Sequence, residues 1–216
     1  MLVQRVDLKS EEILDPAAAV WRLARPSKVV LSPTPLDMQP TEYVRVSWKG
    51  RPYGTAPSMR VSALHNGREL FFRLVWQDKS ANGKIADINQ FVDAAAVIFP
   101  VAPDAPLIGM GVEGKPVNAW FWRADWERPK NVAAEGMGTT KRRDDPALVS
   151  KAQHTRGRWQ VVLSRSFSGK GAPEGTVALK PGATSKVAFA FWQGSNQERA
   201  GIKAFSPDWQ ELQVEA

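Results

Sequence analysis

From Glu42 towards the C-terminus, apolar residues repeatedly fall at every second position, and this alternation constrains the fold more than any other feature of the chain. In an extended segment successive side chains point to opposite faces, so Leu70, Phe72, Leu74 and Trp76 share one apolar face. Val44, Val46 and Trp48 repeat the pattern and predict a first strand. Asn66-Gly67 then joins Met59–His65 to Arg68–Trp76 as a hairpin, both residues supplying positive backbone dihedrals. Ala94–Phe99, Val117–Arg123, Trp159–Arg165, Val187–Trp192 and Trp209–Val214 are further strands. Seven or more short strands punctuated by Gly and Pro predict a mostly β fold, an antiparallel β-sandwich with a few short helices and long functional loops. The clearest helix is Ala17–Ala24, with Asp15 as N-cap, Pro16 at the first helical position and Arg25-Pro26 as the stop.

A chain of 216 residues can bury one sizeable core, so residues 1–216 are expected to form a single domain. The longest apolar run, Ala94–Phe99, is far short of the roughly 18 residues that a spanning helix needs, and no membrane span is expected. Met1–Asp15 lacks the basic-then-apolar pattern of a secretory leader, which suits a cytosolic chain or a mature form whose leader has gone. Two longer connections, Pro100–Pro116 and Ala124–Ser150, are the expected carriers of function.

The chain has no cysteine, which excludes disulfides, zinc-thiolate sites, iron-sulfur clusters held by its own residues and a thioether-linked c-type haem. Its net charge of +7 is spread out, and the one dense basic run, Lys141–Arg143, is followed at once by Asp144-Asp145. A nucleic-acid surface is therefore not expected. There is no G-x-S-x-G elbow, no glycine-rich phosphate loop and no H-E-x-x-H motif, and the carboxylate pairs Glu11-Glu12 and Asp144-Asp145 read as solvated faces, so no catalytic residue is assigned. The two histidines, His65 beside the Asn66-Gly67 turn and His154 in a polar stretch, read as solvent-exposed.

Nine tryptophans are many for this length, and Trp120, Trp122 and Trp126 are crowded together. Alternate tryptophans on a strand pack a core; they also suit a carbohydrate platform or the wall of a flat aromatic cofactor. Met110 stands between Gly109 and Gly111, which lets the backbone turn sharply and another group approach the thioether. Lys203 lies in Gly201-Ile202-Lys203-Ala204-Phe205. Taken alone, the first reads as core filler or metal ligand, the second as a snorkelling surface lysine or a ligand.

Several runs in order carry a family resemblance: Glu69–Asp78, Phe91–Pro100, Gly109-Met110-Gly111, Pro116–Ala124, Trp159–Arg165, Val187–Gly194, Glu198-Arg199 and Lys203 through Trp209. Together they span roughly residues 10–214, and the chain resembles the haem b (gamma) subunits of type II dimethyl-sulfoxide-reductase-family molybdenum enzymes. That group includes enzymes acting on ethylbenzene, dimethyl sulfide, selenate, chlorate and nitrite. The resemblance implies one non-covalent haem b (iron protoporphyrin IX), with Met110 and Lys203 as axial ligands. It also implies a non-catalytic electron-transfer role in the periplasm. The partners would be an iron-sulfur (beta) subunit, a molybdenum-pterin (alpha) subunit and a soluble c-type cytochrome. Val112 departs from the acidic residue expected after Met110-Gly111, which alters local polarity but not the ligand. A chain without cysteine and with only two histidines agrees with this unusual ligand pair. A carbohydrate-binding β-sandwich module is the alternative, and a cofactor-free structural or assembly subunit a third reading.

Overall fold

The computed structural model describes residues 1–55 and 58–216. In chain order its elements are β1 (Leu2–Arg5), α1 (Ser10–Leu14), β2 (Ser27–Val30), β3 (Ser32–Pro33), α2 (Glu42–Trp48), β4 (Ser58–His65), β5 (Glu69–Gln77), β6 (Ala94–Pro100) and β7 (Val117–Arg123). They continue with β8 (Lys130–Ala134), β9 (Lys141–Arg143), β10 (Leu148–Thr155), β11 (Arg158–Ser166), β12 (Thr184–Trp192), β13 (Ala204–Phe205) and β14 (Gln210–Val214). The strands run in the order β10-β11-β5-β4-β1-β14-β12-β6-β7-β8-β9. The mostly β expectation holds, and the ladders are antiparallel except at β1. Leu2 and Val3 pair in parallel with β14, whereas Gln4 and Arg5 pair in parallel with β4, so β1 passes from one sheet to the other.

Two faces meet in the main core. Val61, Ala63, Phe72, Leu74, Trp76, Val161 and Leu163 from β4, β5 and β11 oppose Ala95, Val97, Phe99, Trp120, Trp122, Phe189 and Phe191 from β6, β7 and β12. Phe72 lies 5.8 Å from both Phe99 and Trp120, and Trp76 lies 6.1 Å from Trp122 and 5.7 Å from Phe191. Aromatic pairs at such separations add about 0.5–1.5 kcal/mol each beyond the area they bury. Trp120 and Trp122 thus belong to the core, as alternate residues of one strand should, while Trp126 packs outside it, edge-on to Phe121 at 5.5 Å.

The outer faces are covered differently. Ile13, Val20, Trp21 and Ala24 of the N-terminal segment close over Leu64, Phe71 and Val162. On the other sheet, Ala96, Ile98, Ala119, Val132, Ala188 and Ala190 form an outward apolar layer covered by loops. Strand β6 is therefore buried on both faces, which explains why Ala94–Phe99 reads as an unbroken apolar run.

Four local expectations need correction. The helix over Ala17–Ala24 is instead α1, further upstream, followed by a 3-10 turn at Ala19–Arg22. The Asp15 carboxylate accepts from Ala17 N at 2.9 Å in a local turn, and the Trp21 indole donates to the carbonyls of Ile13 (3.1 Å) and Asp15 (3.0 Å), pinning the segment before a longer helix can form. Val44, Val46 and Trp48 are helical, because the Thr41 hydroxyl accepts from Val44 N at 3.4 Å and starts α2. Trp48 is buried and Val44 partly so, four apart on one helix face, while Val46 is 66% exposed. At the hairpin only Gly67 has a positive φ, of 82°; the Asn66 side chain accepts from Arg68 N and Glu69 N instead. Finally, Ala124–Ser150 contains β8, β9 and the start of β10, whose charged edge residues hide the alternation.

Polar residues also sit deeper than expected. Asp144 is exposed beside Lys130, but Asp145 is buried and bonded to Arg165 at 2.8 Å. His65 is fully buried, with Nδ1 accepting from Gly67 N at 3.2 Å and Phe167 edge-on at 5.8 Å, because the junction of β1 and β4 closes over it. His154 is partly buried against Trp159, its Nε2 2.8 Å from the Asp78 carbonyl.

Candidate functional site

The outward layer of the β12-β6-β7-β8-β9 sheet is the floor of a cleft of about 600 Å³, within the range of small-molecule and cofactor sites. Strand alternation decides what lies there. The odd residues of β6 face the sandwich core, whereas Ala94, Ala96 and Ile98 face the cleft, joined by Ala119 and Phe121 of β7 and Val132 of β8. Three alanines keep the floor low and leave room for a flat apolar body above it.

Two loops from opposite parts of the chain wall the cleft. The loop after β6 contributes Met110, which is partly buried against the floor cluster. Its backbone is fastened on three sides: Met110 N donates to Leu107 O at 3.0 Å, Gly111 N to Pro106 O at 2.9 Å, and Gly136 N to Met110 O at 3.0 Å. Met110 has a φ of 58° and Gly111 one of 84°, so the sharp turn uses the methionine itself and the glycine after it, not Gly109. A Cβ on Gly111 would stand 2.7 Å from Ala134 O, leaving only glycine there. A left-handed non-glycine residue is costly and persists where its surroundings force it, a situation concentrated at functional sites.

Lys203 comes from the segment after β12, and buried carboxylates hold that segment. Glu198 is 1% exposed; its Oε1 accepts from Gly54 N (2.7 Å) and Asn196 Nδ2 (3.0 Å), its Oε2 from Gln193 N (3.0 Å). Asp93, fully buried at the start of β6, accepts from Gly194 N (2.8 Å), Asn82 N (2.7 Å) and Trp159 Nε1 (2.9 Å). Burial pushes the Asp93 carboxyl up to about 6, and nearby Asp78 adds to the rise, against the opposing donors. Lys203 O accepts from Thr34 N at 3.1 Å. The Lys203 side chain lies with Nζ 5.3 Å from the Trp192 ring centroid and makes no ion pair among the described residues.

Met110 and Lys203 thus line the same cleft, while His65 and His154 do not line it. Among the described residues, no group of three or more His, Cys, Asp or Glu could hold a metal ion; the soft and nitrogen donors that line the cleft are the thioethers of Met38, Met110 and Met137 and the Lys203 amine, of which Met110 and Lys203 come from separate loops. Such a pair on two walls above a flat apolar floor fits an iron macrocycle. Asp93 and Glu198 had no assigned role from sequence; their signals were a carboxylate set at the head of an apolar run, in Val92-Asp93-Ala94, and the place of both residues in the runs that carry the family resemblance.

Burial pulls the Lys203 amine down to about 8 from 10.5. Between those values the unfolded chain binds the proton that the folded, ligand-free chain has lost, so Lys203 should make stability rise as pH increases from about 8 to about 10.5. Urea melts of ligand-free wild type and Lys203→Met at several pH values check this. The variant should be the more stable at neutral pH, with the difference shrinking as pH rises; a constant difference would contradict it.

The family described as Ethylbenzene dehydrogenase matches residues 18–150 and 137–204. Chlorate reductase subunit gamma of Ideonella dechloratans is 36% identical over 214 residues, 98% of this chain and 84% of that protein. Dimethylsulfide dehydrogenase subunit gamma of Rhodovulum sulfidophilum is 27% identical over 90% of this chain and 73% of its own. A Haloferax mediterranei protein named as a respiratory nitrate reductase heme subunit is 39% identical over 153 residues, 70% of this chain and 54% of its own. In fold, the chain is similar to a family 9 carbohydrate-binding module from Caldicellulosiruptor kristjanssonii, with a TM-score of 0.53 and 9% identity over 100% of this chain and 93% of that one. A Bacteroides uniformis protein described as carbohydrate-binding has a TM-score of 0.60 at 10% identity, covering 100% and 98% respectively. At these identities the likeness describes the sandwich alone.

Proposed function

The chain belongs to the ethylbenzene dehydrogenase family, and from that premise we propose that it is the non-catalytic, electron-transferring gamma subunit of a type II molybdenum oxidoreductase. In this reading it binds one haem b without covalent bonds, with Met110 and Lys203 as axial ligands. It would work in the periplasm beside an iron-sulfur subunit and a molybdenum-pterin subunit, exchanging electrons with a soluble c-type cytochrome. The observation that carries the reading is that Met110 and Lys203, far apart in sequence, line one apolar cleft from separate walls. The names of the relatives support it, one of them being that of a heme subunit.

A haem held here would supply a one-electron iron couple. The chain's own residues decide how that couple is used. Lys203 can ligate only as the neutral amine, and burial already disfavours its charged form, so binding should release at most one proton from it. The Met110 thioether is a soft donor that favours ferrous iron and raises the potential. With Met110 and Lys203 both holding the group, the iron would have no position left for substrate, which suits relay and not catalysis. The alanine floor gives the ring an apolar seat, while Asp93 and Glu198 hold the lysine wall in place.

Haemin added to the purified protein should give a sharp Soret band, and acid-acetone should carry all the colour into the organic phase. Colour remaining on the polypeptide would contradict non-covalent haem b. A chain that takes up no haemin but is retarded on cellulose would instead favour the carbohydrate-binding alternative.

A further inference from the structure

We propose that Arg142, with Thr140 beside it, is the anchor in this cleft for carboxylate groups carried on the edge of the bound macrocycle. The proposal rests on the haem reading above and adds the chemistry of the ligand's edge: a flat apolar body bearing acid groups.

Register places the side chain. Arg142 of β9 pairs with Val132 of β8, a floor residue, and partners directly opposite on an antiparallel ladder point to the same face. Arg142 and Thr140, two residues apart, both line the cleft. Their neighbour Arg143 turns away and reaches Glu174 at 3.1 Å. Since β9 is the last strand of its sheet, charge on it also discourages edge-to-edge pairing. Lys141 and Arg143 serve that purpose without needing a cation on the inner face.

The other cations around the cleft are already engaged. Arg123 makes two bonds to Asp125, at 3.0 and 2.9 Å. Arg199 lies over the Phe91 ring at 4.2 Å and donates to Gln197 O at 3.2 Å. Lys130 pairs with Asp144. Among the described residues, Arg142 has no carboxylate, carbonyl or aromatic partner, and the Thr140 hydroxyl has no hydrogen bond. An unengaged guanidinium beside an apolar floor is matched by an apolar ligand with a carboxylate, which it can bind through two parallel bonds, with the hydroxyl as a further donor.

The test titrates ligand-free protein with ferric protoporphyrin IX and with its dimethyl ester, which keeps the ring and iron but removes the acid charge. Wild type should bind the diacid about tenfold or more tightly than the ester, read from the Soret change, the equivalent of about 1.4 kcal/mol. Arg142→Met should lose most of that preference, and Arg142→Lys should keep part of it, since the charge remains but the paired geometry does not. Arg123→Met and Arg199→Met should keep it in full. An undiminished preference in Arg142→Met, or its loss in Arg123→Met or Arg199→Met, would overturn the assignment while leaving the haem reading intact. If wild type binds neither porphyrin, the haem reading itself fails and the anchor falls with it. Thermal melts of the ligand-free variants confirm that each is folded; should Arg142→Met fail that check, Arg142→Lys carries the same comparison.

Discussion

In the proposed haem-loaded protein, Lys203→Ala is expected to turn a low-spin spectrum high-spin and to let carbon monoxide bind when the iron is reduced. Alanine cannot reach the iron, and the vacated side of the cleft would admit water or a small diatomic ligand. The two histidines do not line the cleft and are not placed to take over, His65 lying at the junction of β1 and β4 and His154 against Trp159 and the Asp78 carbonyl. His65→Ala and His154→Ala should therefore keep the wild-type spectrum. On the proposed ligation Met110→Ala should lower the reduction potential and weaken retention of the haem, because a thioether ligand would stabilise the ferrous form. Acid should act on the same bond from the other direction, with protons competing against iron for the Lys203 amine and abolishing the low-spin spectrum in a step absent from Lys203→Ala. Visible and electron paramagnetic resonance spectra of these variants check the set. A low-spin Lys203→Ala together with a high-spin histidine variant would sink the ligand assignment.

Removing Arg165 should have the largest effect on stability. Its Nε bonds Asp145 Oδ2 at 2.8 Å, with the two side chains 5% and 1% exposed. Asp145 also accepts from Asn131 Nδ2 at 2.8 Å, and Asn131 in turn receives a bond from Asn118 at 2.6 Å, so the ion pair ties β11 of one sheet to β7 and β8 of the other. Arg165→Leu leaves a buried carboxylate without its counter-ion, a change that costs about 3–5 kcal/mol and lowers the melting temperature by roughly 6–20 °C. Asp145→Leu strands the guanidinium and should cost about as much, whereas the double variant should lose less than the sum of the two. Burial alone would raise the Asp145 carboxyl, but its bonds to Arg165 and Asn131 outweigh that and hold it below the ordinary carboxylate value. Its contribution is therefore present at neutral pH and is lost as pH falls through that depressed value. Urea denaturation of the single and double variants measures the coupling; additive losses would show that the pair does not act as a unit.

How much of this was legible beforehand depends on the range over which each feature is decided. β5, β7, β11 and β12 were readable because period-two alternation is local, β6 because it is a short unbroken apolar run, and the Asn66-Gly67 hairpin because turn chemistry is local too. The first-strand reading of Val44, Val46 and Trp48 failed at the same range: three apolar residues two apart fit a strand, while Val44 and Trp48 alone fit a helix, and a single cap at Thr41 tipped the choice. Met110 and Lys203 were singled out by family resemblance, since in isolation the first reads as core filler and the second as a surface lysine.

Burial is a different matter. His65, beside a turn, and Asp145, in a carboxylate pair, read as exposed, and they are buried because β1 and Arg165, remote in sequence, close over them. What the sequence by itself determined is therefore the inventory: strands, a cysteine-free donor set and one unbroken apolar run. Only the tertiary structure decided which face became a cleft. Strand order set β12 and β8 on either side of β6 and β7, alternation turned their alanines outward, and two loops distant in the chain came to stand over one floor with a thioether and an amine. The physical reason is that side-chain direction follows from neighbouring residues, whereas convergence depends on pairings between strands many residues apart, which no local pattern encodes.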